Sequence, residues 1–362
     1  MKYSKYIKYL AIGLIAISCS NDPDKNEHSF DQFISEVEEI ILQDSTRIET
    51  STTNVYSPLD LTMDGEGRMV VVDASNWTLN LMELNGALLD SIGGSGGGPN
   101  EFFAINQIHI GRDNRLHVYD GRSGVVSIYS ILEGGFEPER EIRLPDYDSR
   151  NLNALYETDD GYLGVFKSVQ IASGENNDIE VYRLDDDFHL QRHQFDMPGS
   201  DTFESNGVRR ENPLGASTIW KMKDVQFYYS NSATLSITTV NTQNGSSEEF
   251  NLSGYPKPMA GEEEINFLKS VIQGSNVQDP EVLAEGMELP FFINFIPSED
   301  HFYYTLFTAN KNYGIILRVD RHSKKMGKIL VPPLFNIYEI HENHLVGIDH
   351  TDGDNDIVIM SF

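Results

Sequence analysis

Five polar residues recur near the starts of successive strand-like segments: Asp60, Asn106, Asn153, Asn294 and Asn336. Carboxylate and amide oxygens are the ligands a hard cation prefers. Converged on one point, they would hold a metal such as Ca²⁺. A second acidic run, Asp352-Gly353-Asp354-Asn355-Asp356, alternates carboxylates as the opening of a calcium loop does. Ile357 stands where such a loop needs its glycine, so a solvated hairpin turn is the favoured reading. His341 and His344 frame His-Glu-Asn-His, but a zinc-protease pair requires a helix and Glu342-Asn343 reads as a turn. Arg209 and Arg210 stand out in an acidic chain and could hold an anionic group. With Trp220, Trp77, Tyr228 and Tyr229 they could line a sugar- or peptide-binding face. No Gly-x-Ser-x-Gly elbow occurs, and the one cysteine, Cys19, is near the N-terminus, which disfavours hydrolases built on either nucleophile.

The elements that must position these residues are strands. Nineteen Phe and 17 Tyr among 362 residues, with many Val, Ile and Thr, suit pleated half-buried surfaces. A formal net charge of −29 repels nucleic acid, whose binding needs Lys and Arg to neutralise phosphates. Cofactor-binding signatures are lacking; the Gly93–Gly98 region has no Lys and leads into a strand, unlike a phosphate cradle.

Lys2, Lys5 and Lys8 precede the apolar run Leu10–Ile17, which is too short to span a bilayer. This layout predicts a signal peptide over residues 1–18. Ala16-Ile17-Ser18-Cys19 resembles a lipobox with Ala in place of the usual Leu, so Cys19 is the expected lipidation site. The polar stretch after it predicts a tether over 19–36.

From residue 37 onward the chain repeats. Pro58–Ile92 and Ile105–Leu144 share one grammar: strand, Asp/Gly turn, strand ending in Asp, polar loop, strand, turn, strand. Asp73 and Asp120 hold the same place. Four strands in such a length is the size of a propeller blade. Segments 152–195, 216–252, 291–330 and 334–362 continue the pattern, which gives six units. The last has three strands, and an open edge would invite aggregation. Its outer strand is therefore expected from within 37–50. The stretch 258–290 breaks the rhythm: Ile265, Leu268 and Ile272 fall on one helical face, predicting a helical insert between blades 4 and 5.

Gly97-Gly98-Pro99-Asn100-Glu101-Phe102, following a strand that ends in Asp and two further strands, resembles the NHL-type repeat. Together with Cys19 and Ile40-Ile41-Leu42 it is similar to the six-bladed β-propeller lipoproteins of Gram-negative bacteria. The resemblance implies an all-β six-bladed propeller over 37–362, carried in the cell envelope as an outer-membrane lipoprotein. It implies no activity. The expected role is binding or scaffolding, with a glycan, peptide or envelope protein recognised on a propeller face and the membrane met only through the lipid. The alternative is a metal-dependent lactonase or lyase working in the central channel.

Overall fold

The computed structural model describes residues 29–362 except 51–52, 149, 169–177, 206–207, 213–214, 263–264, 266–286, 308–311 and 352–354. A short helix, α1 (Phe30–Glu36), comes first, then β1 (Asp44–Ile48). Blade 1 follows as β2 (Pro58–Met63), β3 (Met69–Asp73), β4 (Thr78–Met82) and β5 (Leu88–Gly93), and blade 2 as β6 (Ile105–Ile110), β7 (Arg115–Asp120), β8 (Val125–Leu132) and β9 (Gly135–Arg143). Blade 3 is β10 (Arg150–Thr158), β11 (Gly161–Ser168), β12 (Ile179–Leu184) and β13 (Leu190–Met197). A hairpin, β14 (Thr202–Ser205) and β15 (Val208–Glu211), precedes blade 4: β16 (Thr218–Lys223), β17 (Gln226–Asn231), β18 (Leu235–Asn241) and β19 (Ser247–Leu252). Blade 5 is β20 (Phe292–Pro297), β21 (His301–Leu306), β22 (Gly314–Asp320) and β23 (Met326–Val331). Blade 6 is β24 (Phe335–His341), β25 (His344–Asp349), β26 (Asp356–Ser361) and, outermost, β1.

Thus six four-stranded antiparallel sheets form the ring, and the early strand completes the last one as expected. Asp44 to Ile48 pair in unbroken register with Ser361 back to Ile357. Six apolar clusters hold the blades together, one at each junction. Val72, Leu79 and Phe102 with Leu116 and Val118 join blades 1 and 2; Ile48, Leu61 and Val71 with Val346 and Ile359 join blades 6 and 1. Outer strands are charged instead. β9 shows Glu137, Glu139, Arg140, Glu141 and Arg143 to solvent, which discourages edge pairing between molecules.

The glycine-rich crossover works as a wedge. Phe102 is buried between blades 1 and 2 while Phe103 is exposed. The Phe102 N–H donates to Gly94 O at 2.8 Å, and Gly96 N–H returns a bond to Phe102 O at 3.1 Å. Glu101 accepts from Gly98 N–H at 2.8 Å, and a Cβ on Gly96 would collide with its carboxylate.

One expectation changes. Part of the segment read as a tether, residues 30–36, is a helix. Ser29 caps it by accepting from Gln32 N–H at 3.2 Å, and Phe30 and Ile34, one turn apart, bury against blades 4 and 5. The helix expected within 258–290 lies almost wholly outside the described residues. Its base is described: Met259 bridges Glu288, and Ala260, Ile265 and Leu289 form a small buried cluster.

Candidate functional site in the central channel

The inner strand of each blade alternates apolar and mostly polar residues, and strand register shows what the alternation does. Counting from the residue opposite the Asp73 place, one apolar position is shared by Leu61, Ile108, Leu155, Trp220, Phe295 and Ile337. Flanking it are two layers of the opposite parity. The first contains Asp60, Gln107, Ala154, Ile219, Asn294 and Asn336. The second contains Thr62, His109, Tyr156, Lys221, Ile296 and Glu339.

First-layer side chains stitch blade 1 to blade 2, blade 2 to blade 3 and blade 5 to blade 6. Ile108 N–H donates to Asp60 Oδ2 at 3.4 Å, and Leu155 N–H donates to Gln107 Oε1 at 2.7 Å. Asn294 Nδ2 donates to Ile337 O at 2.7 Å and to Asn336 Oδ1 at 3.2 Å. The three backbone partners, Ile108, Leu155 and Ile337, occupy the same register position, so the same inter-blade bond recurs at three of the six junctions.

This places the five residues read as metal candidates. Asp60, Asn294 and Asn336 share the layer. Asn106 and Asn153 do not, because each is the bulged residue of its strand and is exposed. A bulge adds one residue and turns the side chain to the other side. Asn106 Oδ1 accepts from Gly121 N–H at 2.9 Å, so it caps a loop. The five do not form one ligand set, and among the described residues no group of three or more His, Cys, Asp or Glu could hold a metal. Of the Asp352–Asp356 run, residues 352–354 lie outside the described residues, and Asp356 is bound by Arg47 at 2.9 Å. His341 and His344 face each other across the β24–β25 turn, as the sequence suggested. Cys19 lies outside the described residues. Arg209 and Arg210 sit in β15, with side chains outside the described set. Trp220, partly buried, packs in the wedge between blades 3 and 4 with Phe195 and Tyr229.

The second layer carries charge that sequence reasoning missed. Lys221 on blade 4 stands across the ring from blade 1, whose Asp60 it attracts, and it also attracts Glu339 of blade 6. Both carboxylates are more than an ion-pair distance away; Lys221 has no direct ion pair or hydrogen bond among the described residues. Each of the three retains some accessible surface although protein surrounds it, as expected of side chains pointing into a narrow wet tunnel. Loss of hydration raises Glu339 to about 7 against the pull of Lys221, the Thr62 hydrogen bond and Lys223, with Asp60 adding to the rise. It raises Asp60 to about 6, against Lys221 and the N–H groups of Leu61 and Ile108. It lowers Lys221, while the two carboxylates pull the other way. Burial also holds His109 down to about 4, so that imidazole is neutral at pH 7. Tyr156 and Tyr338 are pushed up by burial and by the Asp60 charge and stay protonated. Aligning all six units on the Asp73 position would have brought Lys221 and Glu339 into view; each alone reads as an ordinary surface charge on a strand.

Above this channel lies the face that carries the blade-to-blade crossovers. Several large apolar side chains are exposed there at the starts of inner strands: Tyr56, Leu59, Phe103, Ile293 and Leu334. Leu59 and Ile293 occupy the same bulge position as Asn106 and Asn153. The base of the 258–290 insert joins β19 to β20 and so opens on this face. A separate cavity of about 530 Å³ lies at the rim, between α1, the insert base and blade 5.

A ring of six such sheets, closed by the chain's own first strand, defines a six-bladed β-propeller. The chain belongs to the family described as "6-bladed beta-propeller" (DUF5128), which matches residues 15–359. Among solved structures it is similar to a protein of Bacteroides fragilis described as exported, at 12% identity and TM-score 0.57, covering 89% of this chain and 97% of that one. It is also similar to a DUF4221 family member of Bacteroides vulgatus, at 10% identity and TM-score 0.52, covering 90% and 97%. At such identities the likeness concerns the fold. No functionally curated protein matches the chain.

Proposed function

We propose that this is an exported, lipid-anchored propeller of the cell envelope that binds a polypeptide partner on its crossover face. The observation that carries the reading is the gathering of Tyr56, Leu59, Phe103, Ile293 and Leu334, exposed, around one end of the inner strands. Scattered surface hydrophobics are ordinary, but apolar groups gathered at one face of a ring suit a recognition surface. Three of the five, Leu59, Ile293 and Leu334, are aliphatic and give a glycan no flat platform, whereas apolar polypeptide groups pack on aliphatic and aromatic side chains alike. The acidic surface favours a neutral or basic partner. Export is supported by the signal-like residues 1–18 and by the exported neighbour. Anchoring rests on Cys19 and placement in the outer membrane on the family resemblance.

Photo-cross-linking residues installed at Leu59 and at Ile293 test the reading in cells. Discrete polypeptide adducts are expected from both positions, and none from Glu139 on an outer strand. Adducts from Glu139 alone, or from none of the three, would overturn it.

A further inference from the structure

The channel holds two carboxylates and one ammonium that approach without touching. Strand register sets Lys221 of blade 4 in the same inner layer as Glu339 of blade 6, with Asp60 of blade 1 in the adjoining polar layer, yet the Lys221 side chain forms no ion pair within 4.0 Å of either and no hydrogen bond among the described residues. Asp60 is held in place by Leu61 N–H at 2.9 Å and Ile108 N–H at 3.4 Å. Glu339 accepts from Thr62 Oγ1 at 3.2 Å through Oε1. Among the described residues its Oε2 has no hydrogen-bond partner. With all three ionised, the enclosed site carries a net −1. A buried site of unbalanced charge is costly, and a complementary charge relieves it.

We infer that the gap between Lys221, Asp60 and Glu339 is a binding site for the primary ammonium group of a small ligand. Its N–H donors meet Glu339 and Asp60, and a single positive charge brings the site to neutrality. The neighbouring hydroxyls of Tyr156 and Tyr338 are uncharged and leave that balance intact, as does neutral His109. Lys223, on the same strand as Lys221, acts on Glu339 from further out on an exposed position. An anionic ligand would add a third negative charge against one Lys. The ammonium could come from a free amine or from the N-terminus of a polypeptide. The inference does not depend on docking at the crossover face, which the cross-links at Leu59 and Ile293 test separately.

In the absence of the ligand a proton neutralises the site instead, with Glu339 the group best placed to take it. Ligand and proton then compete. Affinity for an amine that stays charged should rise on the order of tenfold between pH 6 and pH 8.

Isothermal titration of the purified protein decides the matter with three probes: propylammonium, triglycine amide, and N-acetyl-triglycine amide. Propylammonium or triglycine amide should bind at pH 7, and the acetylated peptide at least about tenfold more weakly than its free form. Binding of propylammonium with the peptide's affinity assigns a free amine; binding of the peptide alone assigns a polypeptide N-terminus. Glu339→Gln and Asp60→Asn are isosteric and should each weaken binding about tenfold or more. Lys221→Met removes a like charge from the site and should tighten ammonium binding by severalfold or more. Silence from both amines with the folded protein overturns the inference. So does equal binding of the acetylated peptide, or loss of binding in Lys221→Met.

Discussion

Arg47 of the first strand places its Nη2 2.5 Å from Oδ2 of Asp349, 302 residues later. Its Nη1 reaches Asp356 at 2.9 Å, so one guanidinium ties β1 to both ends of the β25–β26 connection. Asp349 is buried and Arg47 is half-exposed. Burial pushes the Asp349 carboxyl up, but bonds from Thr351 and Arg47 win and hold it below its ordinary value. The pair therefore closes the ring in register as well as in topology. Arg47→Ala should cost about 1–3 kcal/mol, because it strips one donor from buried Asp349, which keeps only the Thr351 N–H and hydroxyl, and another from Asp356. Urea melts of the two proteins give the number directly, and an unchanged midpoint would mean that the β1–β26 ladder and buried Ile48 close the ring unaided.

Asp73 and Asp120 hold each crossover to the blade it enters. Asp73 accepts from the N–H groups of Tyr56 at 2.8 Å, Ser57 at 3.0 Å and Ser75 at 2.9 Å. Asp120 does the same for Phe103 at 2.7 Å, Ala104 at 3.2 Å and Arg122 at 3.0 Å. Both carboxylates are buried, and removing either leaves several backbone donors without a partner. Asp73→Ala and Asp120→Ala are each expected to lose about 2–4 kcal/mol, with the Asn variants losing less. Thermal unfolding checks this, and near-additivity of the two is expected since they serve different crossovers.

These two aspartates were legible in the sequence because they repeat, and so was ring closure, because the last unit is one strand short. The candidate site was less so. A bulge at Asn106 and Asn153 cannot be seen in a single sequence, and one inserted residue reverses the side a side chain faces. That slip made five polar residues look like one set. Lys221 and Glu339 were passed over for a different reason. Nothing local marks a Lys in Thr-Ile-Trp-Lys-Met-Lys as buried; closure of a ring sets it opposite Asp60. In the tether, Phe30, Phe33 and Ile34 carried a readable helical spacing, but seven residues are too few to argue a helix without the surface that covers them.

The exposed apolar residues of the crossover face should contribute to recognition and little to folding. Leu59 and Ile293 are 45% and 54% exposed. The double variant Leu59→Asp, Ile293→Asp is expected to keep its unfolding midpoint within about 0.5 kcal/mol of wild type. It should also bind less of a dye that reports exposed apolar surface. A large loss of stability would show that these side chains pack into the wedges after all.

Stability should also depend on pH through the channel. Glu339 rises from an ordinary 4.5 to about 7 in the fold, and Asp60 from 3.8 to about 6, both chiefly because burial penalises the charged form. A folded state that binds protons more tightly than the unfolded chain is favoured at low pH. The stabilisation from Glu339 is complete below its unfolded value and is lost as pH rises through about 7. At roughly 1.4 kcal/mol per pKa unit, that loss is on the order of 2–3 kcal/mol for Glu339 between pH 5 and pH 8. Carboxylates held low, such as Asp320 at about 2 and Asp349, act in the opposite sense and give way only in stronger acid. Buried His109 and His117, held down to about 4 and about 3, act against this as pH falls through the ordinary imidazole value, so the Glu339 contribution is read from the difference between wild type and Glu339→Gln rather than from the position of the stability maximum. Glu339→Gln carries the neutral form at every pH, so its stability should match wild type at pH 5 and exceed it at pH 8. Denaturant melts at the two pH values separate the outcomes, and parallel profiles for wild type and variant would show that Glu339 is solvated in the channel and titrates as a surface carboxylate.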